Sequence, residues 1–408
     1  MKVRVCMLHR LTIWRGGAER LLFTLSQCLR HLGYTVDIYV LTDSPTHCYP
    51  ELRDGLKVTA TKGISSKQIF SATPAIQALE IANEVKDKYD IIHAHNFPSH
   101  IAATFVASRL GVPFIWQCNE PHRILHDTAE RRRYIKRAIQ ESIPNCIMQL
   151  GALQVLRFST KTLDLMAVNR AYAVTTLSNY EAKILRGLYN INPIVIHPGA
   201  DSAKFSKDAD GRTVRERFGI GDAPLILMVS RLWPAKNVET SLRAFRLVLR
   251  ALPSAYYMIV GDGPSKWNLL ELSKQLGIDR RCIFVDDHEV GDKIDLFYAA
   301  CDAYLFTAIG EPWGLTVLEA MQMAKPVVAS ADGGVTDLIQ DHRNGILVNP
   351  LAPHEIAQRL IEVITNSPLA STLGHAAVAT AAQYSWKRMA RSYDILYQEA
   401  ISRSIRKR

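Results

Sequence analysis

Short runs of β-branched and other apolar residues alternate with longer amphipathic segments along this chain of 408 residues. The first half contains the runs KVRVCML, TVDIYVL, DIIHAH, PFIWQC, AYAVTTL and PIVIHPG. The second half repeats the alternation with LILMVSRL, AYYMIVGDG, RCIFVDD, AYLFTA, KPVVAS and GILVNP. Strands that alternate with helices are typical of α/β domains with parallel sheets. Since the chain is too long for one core, the two series predict two domains.

The helical segments and a polar stretch between the halves set the predicted boundaries. The segment GGAERLLFTLSQCLRHLG repeats apolar residues at helical spacing and should end at Gly33. In the second half we predict helices at 237–251, 265–276, 293–300 and 315–323. The stretch HPGADSAKFSKDADGRTV is rich in polar residues and is predicted to be a linker. We therefore predict a first domain over 1–198, a second over 199–384, and a final helix over 385–408 that returns toward the first domain.

The positive charge of the chain is concentrated in its first half. The formal net charge is +10 at pH 7. Residues 1–200 contain 24 Lys and Arg against 15 Asp and Glu, whereas residues 201–408 contain 25 against 24. A basic first half suits an acidic acceptor, an anionic membrane surface or nucleic acid.

Cysteine usage and hydropathy indicate a cytoplasmic protein. The seven cysteines are scattered and form no C-x-x-C pair, so neither a disulfide framework nor a zinc site is indicated. The start MKVRVCMLHR has no apolar region after its charges, unlike a signal peptide. No uncharged apolar run reaches membrane-spanning length. Any membrane contact is therefore expected to be peripheral.

The segment GEPWGLTVLEAM, residues 310–321, places two glutamates around a predicted turn and helix start. The turn runs from Gly310 to Gly314, and free backbone N–H groups at the following helix start suit a phosphate. Glu319 lies about one turn into the helix, near enough to bond hydroxyls of a bound nucleotide. Glu311 precedes the helix and can reach what lies beyond the phosphate. The alternative is that Glu311 is an exposed loop acid and Glu319 a helix-surface acid.

The segment VSRLWPAKN supplies two cations in a similar position. Arg231 and Lys236 flank a turn between a predicted buried strand and a helix. Such a pair can neutralise a diphosphate, with arginine giving a planar fork of donors and lysine a point charge. Each alone could be a surface charge, but together with the acidic motif they indicate a diphosphate site.

These motifs give the chain a clear resemblance to a known family. In order along the chain stand GGAER, DIIHAH, HPGAD, SRLWPAK, VGDGP, EPWGLTVLEAM and DGGVTDLI followed by NGILV. The series resembles the retaining GT-B glycosyltransferases of group 1, whose pair of glutamates has the spacing E-x7-E. The resemblance spans roughly residues 1–385 and is strongest from 225 to 350. It implies two doubly wound, Rossmann-like α/β domains that face an interdomain cleft.

The resemblance also implies roles for the charged residues. Arg231 and Lys236 would hold the donor diphosphate, and Glu311 would bind hydroxyls of the donor sugar; these three are the candidate catalytic residues. A nucleoside diphosphate leaves readily only when its growing charge is stabilised, and fixed cations and amides do this. Neither a metal ion nor a cofactor is needed, since the nucleotide-diphosphate sugar is the co-substrate.

The remaining donor-binding candidates follow from the same resemblance. Glu319 would bind the ribose of the donor nucleotide. Backbone atoms at two helix starts would approach the donor, at Gly16, Gly17, Gly314, Leu315 and Thr316.

Candidate acceptor-side residues follow two strands of the first half. His95 ends the run DIIHAH, where with His93 it could be a polar strand end near the acceptor or part of a metal site. Family members commonly have a histidine after the fourth strand, near the reacting sugar. In WQCNEPHR that place is taken by Asn119, with Glu120 and His122 close by. Asparagine can bond a sugar hydroxyl, but it cannot exchange a proton at neutral pH.

The predicted function is transfer of a hexosyl unit, with retention, from a nucleotide-diphosphate sugar to a glycan or lipid-linked acceptor. Cell-envelope or extracellular polysaccharide synthesis, lipopolysaccharide included, is the expected setting, without nucleic acid as a partner. A dehydrogenase is disfavoured because no G-x-G-x-x-G follows the first strand, and an NTPase because no phosphate-binding G-x-x-x-x-G-K-[ST] occurs. A glycoside hydrolase would leave Arg231 and Lys236 unexplained. The alternative from another class is a non-catalytic sensor or scaffold that binds a nucleotide sugar.

The segment HDTAERRRYIKRAIQESIP carries much of the basic charge of the first half. Its basic residues share a predicted helix with an apolar stripe: Arg131, Arg132, Arg133, Lys136 and Arg137. The stripe could pack on the first domain. Alternatively, the helix could bring the protein to the inner face of an anionic membrane, where each basic residue contributes about 1 kcal/mol.

Overall fold

The computed structural model describes residues 2–62, 73–121, 126, 159–200, 204–205, 209–290 and 293–407. The chain divides into two compact units. The first contains Met1–Ile196 together with Met389–Arg408, and the second contains His197–Arg388. The predictions for His122 and for the basic residues 131–137 lie outside the described residues.

The first unit is built on a parallel sheet. Its described strands have the order β5-β3-β1-β6-β7-β8-β9. Their bounds are β1 Arg4–Leu8, β3 Thr35–Val40, β5 Lys57–Ala60, β6 Ile91–His95, β7 Phe114–Gln117, β8 Ala173–Thr176 and β9 Ile194–Val195. A separate parallel pair joins β2 (Leu11–Thr12) to β4 (Thr42–Asp43). All six strands predicted for this half are confirmed; β5 was not predicted, because this short edge strand is only partly buried.

The connection pattern marks one edge of this sheet as a ligand site. β1 pairs with β3 on one side and with β6 on the other, so the chain reverses its direction across the sheet at that point. In open α/β sheets, ligands bind outside the carboxyl ends of the strands at such a reversal. The carboxyl ends of β1 and β6 therefore mark the ligand-binding edge of this unit.

Helices pack on the sheet of the first unit. They are α1 (Gly17–His31), α2 (Pro74–Glu84), α3 (Ser99–Leu110), a helical segment over 159–170, and α4 (Asn179–Tyr189). In α1 four of the five residues of the predicted apolar stripe are buried, Leu21, Leu22, Leu25 and Leu29, and the fifth, Cys28, is half-buried. The helix ends at His31, and Gly33 follows with a positive φ of 96°.

The last helix, α13 (Trp386–Lys407), joins the first unit from Met389 onward. Tyr393 and Tyr397 lie one turn apart and are fully buried. The hydroxyl of Tyr397 forms a 2.6 Å hydrogen bond with His93 Nδ1 on β6, and Tyr34 donates a hydrogen bond to Asp394. Buried tyrosines on this helix therefore reach the strands of the sheet.

The second unit repeats the parallel architecture. Its described strands have the order β12-β11-β10-β13-β14-β15. Their bounds are β10 Leu225–Val229, β11 Tyr256–Val260, β12 Cys282–Val285, β13 Ala303–Phe306, β14 Val327–Ser330 and β15 Ile346–Val348. The helices are α5 Arg212–Arg217, α6 Val238–Ala251, α7 Lys266–Gln275, α8 Asp287–Val290, α9 Ile294–Ala300, α10 Leu315–Gln322, α11 Pro353–Thr365 and α12 Ser367–Ala381. The strands and helices predicted for this half are confirmed, and the predicted linker ends in the short helix α5.

Two observations concern membrane-spanning helices and disulfides. In the part of the chain that is described, no helix is long and apolar enough to cross a membrane. The cysteines of that part, at 6, 28, 48, 118, 282 and 301, form no disulfide with one another.

Candidate functional site

The loop that carries Arg231 rests on the glycine loop that follows β11. The Leu232 amide donates to the carbonyl of Asp262 at 2.8 Å, and the Ser265 amide donates to the carbonyl of Leu232 at 3.0 Å. A Cβ at Gly263 would lie 2.5 Å from the Leu232 oxygen, so the backbones meet too closely for any other residue there. The motif VGDGP thus supports the backbone on either side of Arg231.

The turn that carries Lys236 is fixed to the end of β13. Pro234–Lys236 form a single 3₁₀ turn, after which Asn237 adopts the left-handed conformation with φ 54°. Asn237 Nδ2 donates to the Pro350 carbonyl at 2.6 Å. Thr307 Oγ1 donates to the Lys236 carbonyl at 3.1 Å, and the Ile309 amide donates to the Ala235 carbonyl at 2.9 Å. Lys236 is thereby brought to the loop that begins the acidic motif.

Lys236 and Glu311 form an ion pair at this junction. Their side chains are only 16% and 28% exposed, so water screens the pair weakly. Glu311 is therefore not the exposed loop acid of the alternative interpretation. Arg231 is exposed, and its guanidinium has no acidic partner among the described residues. The loop thus offers one unpaired cation and one paired with an acid.

The start of α10 has the geometry of an anion site. Gly314 caps the helix with a positive φ of 106°. Its carbonyl accepts from the amides of Val317 and Leu318, each at 3.1 Å. The N–H groups of Leu315 and Thr316 precede this hydrogen-bond ladder, and such groups point at an anion in helix-start sites.

Glu319 is buried inside the second unit, with 2% of its surface exposed. Tyr298 on α9 donates a 2.7 Å hydrogen bond to Glu319 Oε2, and the same hydroxyl lies 3.2 Å from the Thr316 carbonyl. A buried carboxylate needs such partners, because its desolvation is costly. The helix-surface interpretation of Glu319 is therefore wrong. Tyr298 was not predicted, since its run DLFYAA resembles any amphipathic helix.

The backbone of Glu311 is fixed by the glycine pair that follows β14. Glu311 forms a β-bridge with Gly333, and the Gly334 amide donates to the Glu311 carbonyl at 2.7 Å. Gly333 has φ 128° and ψ −177°, a conformation that is essentially confined to glycine. A Cβ there would lie 2.7 Å from the Glu311 oxygen. The motif DGGV contained the signal for this contact, but the sequence did not show which residue it would touch.

Trp313 anchors the acidic motif from within. Its ring is 2% exposed and stacks on His197 with centroids 4.6 Å apart. Tyr384 meets the Trp313 ring edge-on at 5.3 Å. This aromatic cluster holds the turn between Glu311 and Gly314 in place.

In the first unit, the predicted glycines open α1 and the predicted histidine ends β6. Gly16 caps α1 in an extended conformation, and Gly17 is the first helical residue. His95 is 1% exposed, and its ring centroid lies 4.2 Å from that of His93. Burial lowers the pKa of His93 to about 3. Burial and the neighbouring His93 and His9 lower the pKa of His95 well below its ordinary value, so both rings are neutral near pH 7.

Asn119 and Glu120 follow β7, the strand next to β6. Asn119 is 6% exposed, and its backbone amide donates to Asn96 Oδ1 at 2.9 Å. Glu120 is exposed. Because His95 and Gln117 are register partners, His95 and Asn119 lie at the same carboxyl edge of the sheet. The predicted donor residues from Arg231 to Glu319 thus lie in the second unit, whereas Gly16, Gly17 and the described acceptor-side residues lie in the first.

Two different family models match the two halves of the chain. The family described as glycosyl transferases group 1 matches residues 211–379, and Glycosyltransferase Family 4 matches residues 15–204. A D-inositol 3-phosphate glycosyltransferase of Nocardioides sp. is 27% identical, over 94% of this chain and 85% of its own length. The protein of that name in Mycolicibacterium gilvum is 30% identical, over 78% of this chain and 68% of its own length.

The fold has solved counterparts as well. The crystal structure of Anabaena Alr3699/HepE in complex with UDP and glucose matches with a TM-score of 0.76, at 20% identity, over 97% of this chain and 99% of that one. That match confirms the predicted GT-B fold, with its two Rossmann-like parallel sheets. By its matched sequence over both halves, the chain belongs to the group 1 glycosyltransferases.

Proposed function

We propose that this glycosyltransferase moves a hexosyl unit from a nucleotide-diphosphate sugar to a glycan or lipid-linked acceptor with retention of configuration. The observation that carries the proposal is the arrangement in the second unit. There Lys236 is ion-paired with Glu311 of the loop before α10, and Glu319 of that helix accepts a hydrogen bond from Tyr298 on α9. Cations, a helix start and two fixed carboxylates together suit a diphosphate flanked by hydroxyl groups.

The charges of the site suit departure of a nucleoside diphosphate. Arg231 and Lys236 stabilise the negative charge that grows on the diphosphate as the glycosidic bond breaks, as do the amides of Leu315 and Thr316. Because the Lys236 side chain and these amides are held in place before the reaction, little of their reorganisation is needed in the transition state. Glu311 binds hydroxyls of the donor sugar, and Glu319 binds the ribose.

Retention and independence of metal belong to the proposal. Retention follows from the family resemblance, with the incoming hydroxyl and the leaving diphosphate on the same face of the sugar. The cations perform the charge neutralisation for which other transferases use a metal ion. The experiment below therefore includes a chelator.

A second acceptor class is favoured by two observations. Both relatives described above are named for D-inositol 3-phosphate, and residues 1–200 carry a net charge of +9. A phosphorylated polyol is therefore the second candidate acceptor. Transfer to a lipid-linked acceptor in envelope or lipopolysaccharide synthesis, with the protein at the inner face of the membrane, stays our prediction from the basic segment 131–137.

Incubation of the purified protein with a panel of nucleotide sugars tests the proposal, each sugar paired with lipid-linked, glycan and inositol phosphate acceptors. UDP-sugars come first in the panel, since HepE binds UDP. We expect release of nucleoside diphosphate with transfer in the presence of chelator, and NMR of the product to show the anomeric configuration of the donor. An inverted product contradicts retention. Donor binding without turnover favours the sensor alternative.

A further inference from the structure

Four buried side chains of the first unit, those of Thr175, Tyr393, Gln117 and Asn119, form a continuous series of hydrogen bonds that ends at Asn119 and is called the relay below. Thr175 Oγ1 on β8 lies 2.8 Å from the Tyr393 hydroxyl. Tyr393 donates to Gln117 Oε1 at 2.8 Å, and Gln117 Nε2 donates to Asn119 Oδ1 at 2.7 Å. Thr175, Tyr393 and Gln117 are fully buried. Water therefore does not compete for these bonds.

Every hydrogen bond of the relay is donated in the same direction, from Thr175 toward Asn119. The Tyr393 hydroxyl carries a single hydrogen, which goes to Gln117 Oε1, so Tyr393 accepts from Thr175. With its oxygen used in this way, the Gln117 amide presents Nε2 to Asn119. Asn119 must then accept through Oδ1, and its Nδ2 group faces away from the relay. No described residue accepts a hydrogen bond from Nδ2.

Asn119 lies where a ligand of this unit is expected. It follows β7 at the carboxyl edge of the sheet, and its backbone amide is bonded to Asn96, the residue after β6. The carboxyl end of β6 flanks the point where the strand order reverses. The Nδ2 group is not among the buried unpartnered polar atoms of the described residues, so it is accessible to a ligand or to water at this edge.

We propose that Gln117 and Tyr393 are positioning residues that hold Asn119 as a hydrogen-bond donor toward a substrate oxygen. The inference rests on the proposed transfer reaction. The ligand atom must carry a lone pair, as a sugar hydroxyl or a phosphate oxygen does. Asn119 cannot act as a base there, because a neutral side-chain amide does not exchange a proton near pH 7. The hydroxyl of Tyr393, on the C-terminal helix, thus determines that Asn119 meets a ligand as a hydrogen-bond donor.

Two substitutions of Asn119 test whether it acts as a hydrogen-bond donor. In Asn119→His, one ring nitrogen can accept from Gln117 Nε2, which leaves the N–H of the other as a donor. In Asn119→Asp, the carboxylate accepts from Gln117 and donates nothing. We expect Asn119→Asp to lower kcat/KM at least tenfold more than Asn119→His, given the cost of an unmade hydrogen bond. A larger change in KM for the donor or for the acceptor shows which substrate supplies the oxygen.

The substitution Gln117→Glu tests the relay through a pH profile. When ionised, the introduced carboxylate accepts from Tyr393 and turns the Asn119 amide around, so the donor is lost. When protonated, it can again donate to Asn119 Oδ1. We therefore expect the activity of Gln117→Glu to rise as the pH falls, relative to the wild type, across pH values at which thermal unfolding shows both proteins to be fully folded.

Tyr393→Phe and Tyr397→Phe form a matched pair. Each removes one buried hydroxyl from the same helix, but Tyr397 bonds His93 and lies outside the relay. We expect Tyr393→Phe to lower kcat several-fold more than Tyr397→Phe at a similar thermal midpoint. Equal effects of the two variants would indicate that Tyr393 acts only through stability.

Four results would overturn the inference: wild-type activity in Asn119→Asp, equal losses in folded Asn119→Asp and Asn119→His, an unchanged pH profile in Gln117→Glu, or equal effects of Tyr393→Phe and Tyr397→Phe. Hydrogen exchange of the Gln117 side-chain amide, followed by NMR, is independent of turnover. Slow exchange in the wild type and fast exchange in Tyr393→Phe support the relay. If the wild type transfers no sugar, the proposed function fails, while this exchange measurement still decides whether the relay exists.

Discussion

The substitution Gly333→Ala tests whether the placement of Glu311 depends on a glycine that is not part of the acidic motif. Gly333 has φ 128° and ψ −177°, and an alanine there is strained by roughly 1–3 kcal/mol from the backbone conformation alone. Its Cβ would also lie 2.7 Å from the carbonyl oxygen and 2.9 Å from the nitrogen of Glu311. Real Cβ atoms do not come so close to backbone, so one of the two loops must move.

The movement should reduce catalysis as well as stability. A shift of about 1 Å in a positioning group can cost about a hundredfold in rate, which corresponds to about 2.7 kcal/mol. We therefore expect kcat to fall by one to two orders of magnitude. The free energy of unfolding should fall by at least the 1–3 kcal/mol of backbone strain.

Gly277→Ala is the matched control. Gly277 has a similar left-handed requirement, with φ 68°, but a Cβ there meets nothing within 4 Å. The control should lose stability without losing activity. The assay combines thermal unfolding, calorimetry with the donor and turnover at saturating donor. If Gly333→Ala keeps the kcat and donor affinity of Gly277→Ala, the bridge to Gly333 does not position Glu311 and our reasoning is wrong.

Three further predictions concern charged and buried groups. Glu319→Gln should weaken binding of the donor nucleotide roughly tenfold, because a hydrogen bond to a charged group contributes about 1.5–3 kcal/mol; unchanged affinity by calorimetry contradicts the ribose assignment. Lys236→Ala should lower kcat more than it weakens binding of the free nucleoside, since the diphosphate charge grows in the transition state; wild-type kcat at saturating donor contradicts that role. The pKa of His93 is lowered in the folded protein to about 3 from 6.5, so its contribution to stability is complete above about pH 6.5 and is lost as the pH falls toward 3. His93→Asn should therefore flatten the fall of the thermal midpoint across that window, and an unchanged slope shows that another group titrates.

Much of the fold followed from local pattern alone. The runs LILMVSRL and AYYMIVGDG are apolar enough to be buried on both faces, and such runs predict parallel strands between helices. The Lys57–Ala60 strand was missed because it lies at the sheet edge, where partial exposure allows a polar sequence. The candidate donor residues could be named because their motifs resemble those of a known family.

The contacts that make those residues a site could not be read from the sequence. Lys236 and Glu311 are 75 residues apart, and they meet because Asn237 and Thr307 bond the two loops together. Tyr298 and Gly333 gave no specific signal, since their roles are to touch residues that are distant in the chain.

The sequence by itself determined the α/β class, the strand and helix series, and the residue types available for a diphosphate and two hydroxyl-bearing groups. Those properties depend on local periodicity and on side-chain chemistry, which neighbouring residues specify. Only the tertiary structure decided that Glu319 is buried against Tyr298 and that Asn119 accepts from Gln117. Burial and hydrogen-bond direction depend on partners that lie far away in the chain, and folding alone brings those partners within bonding distance.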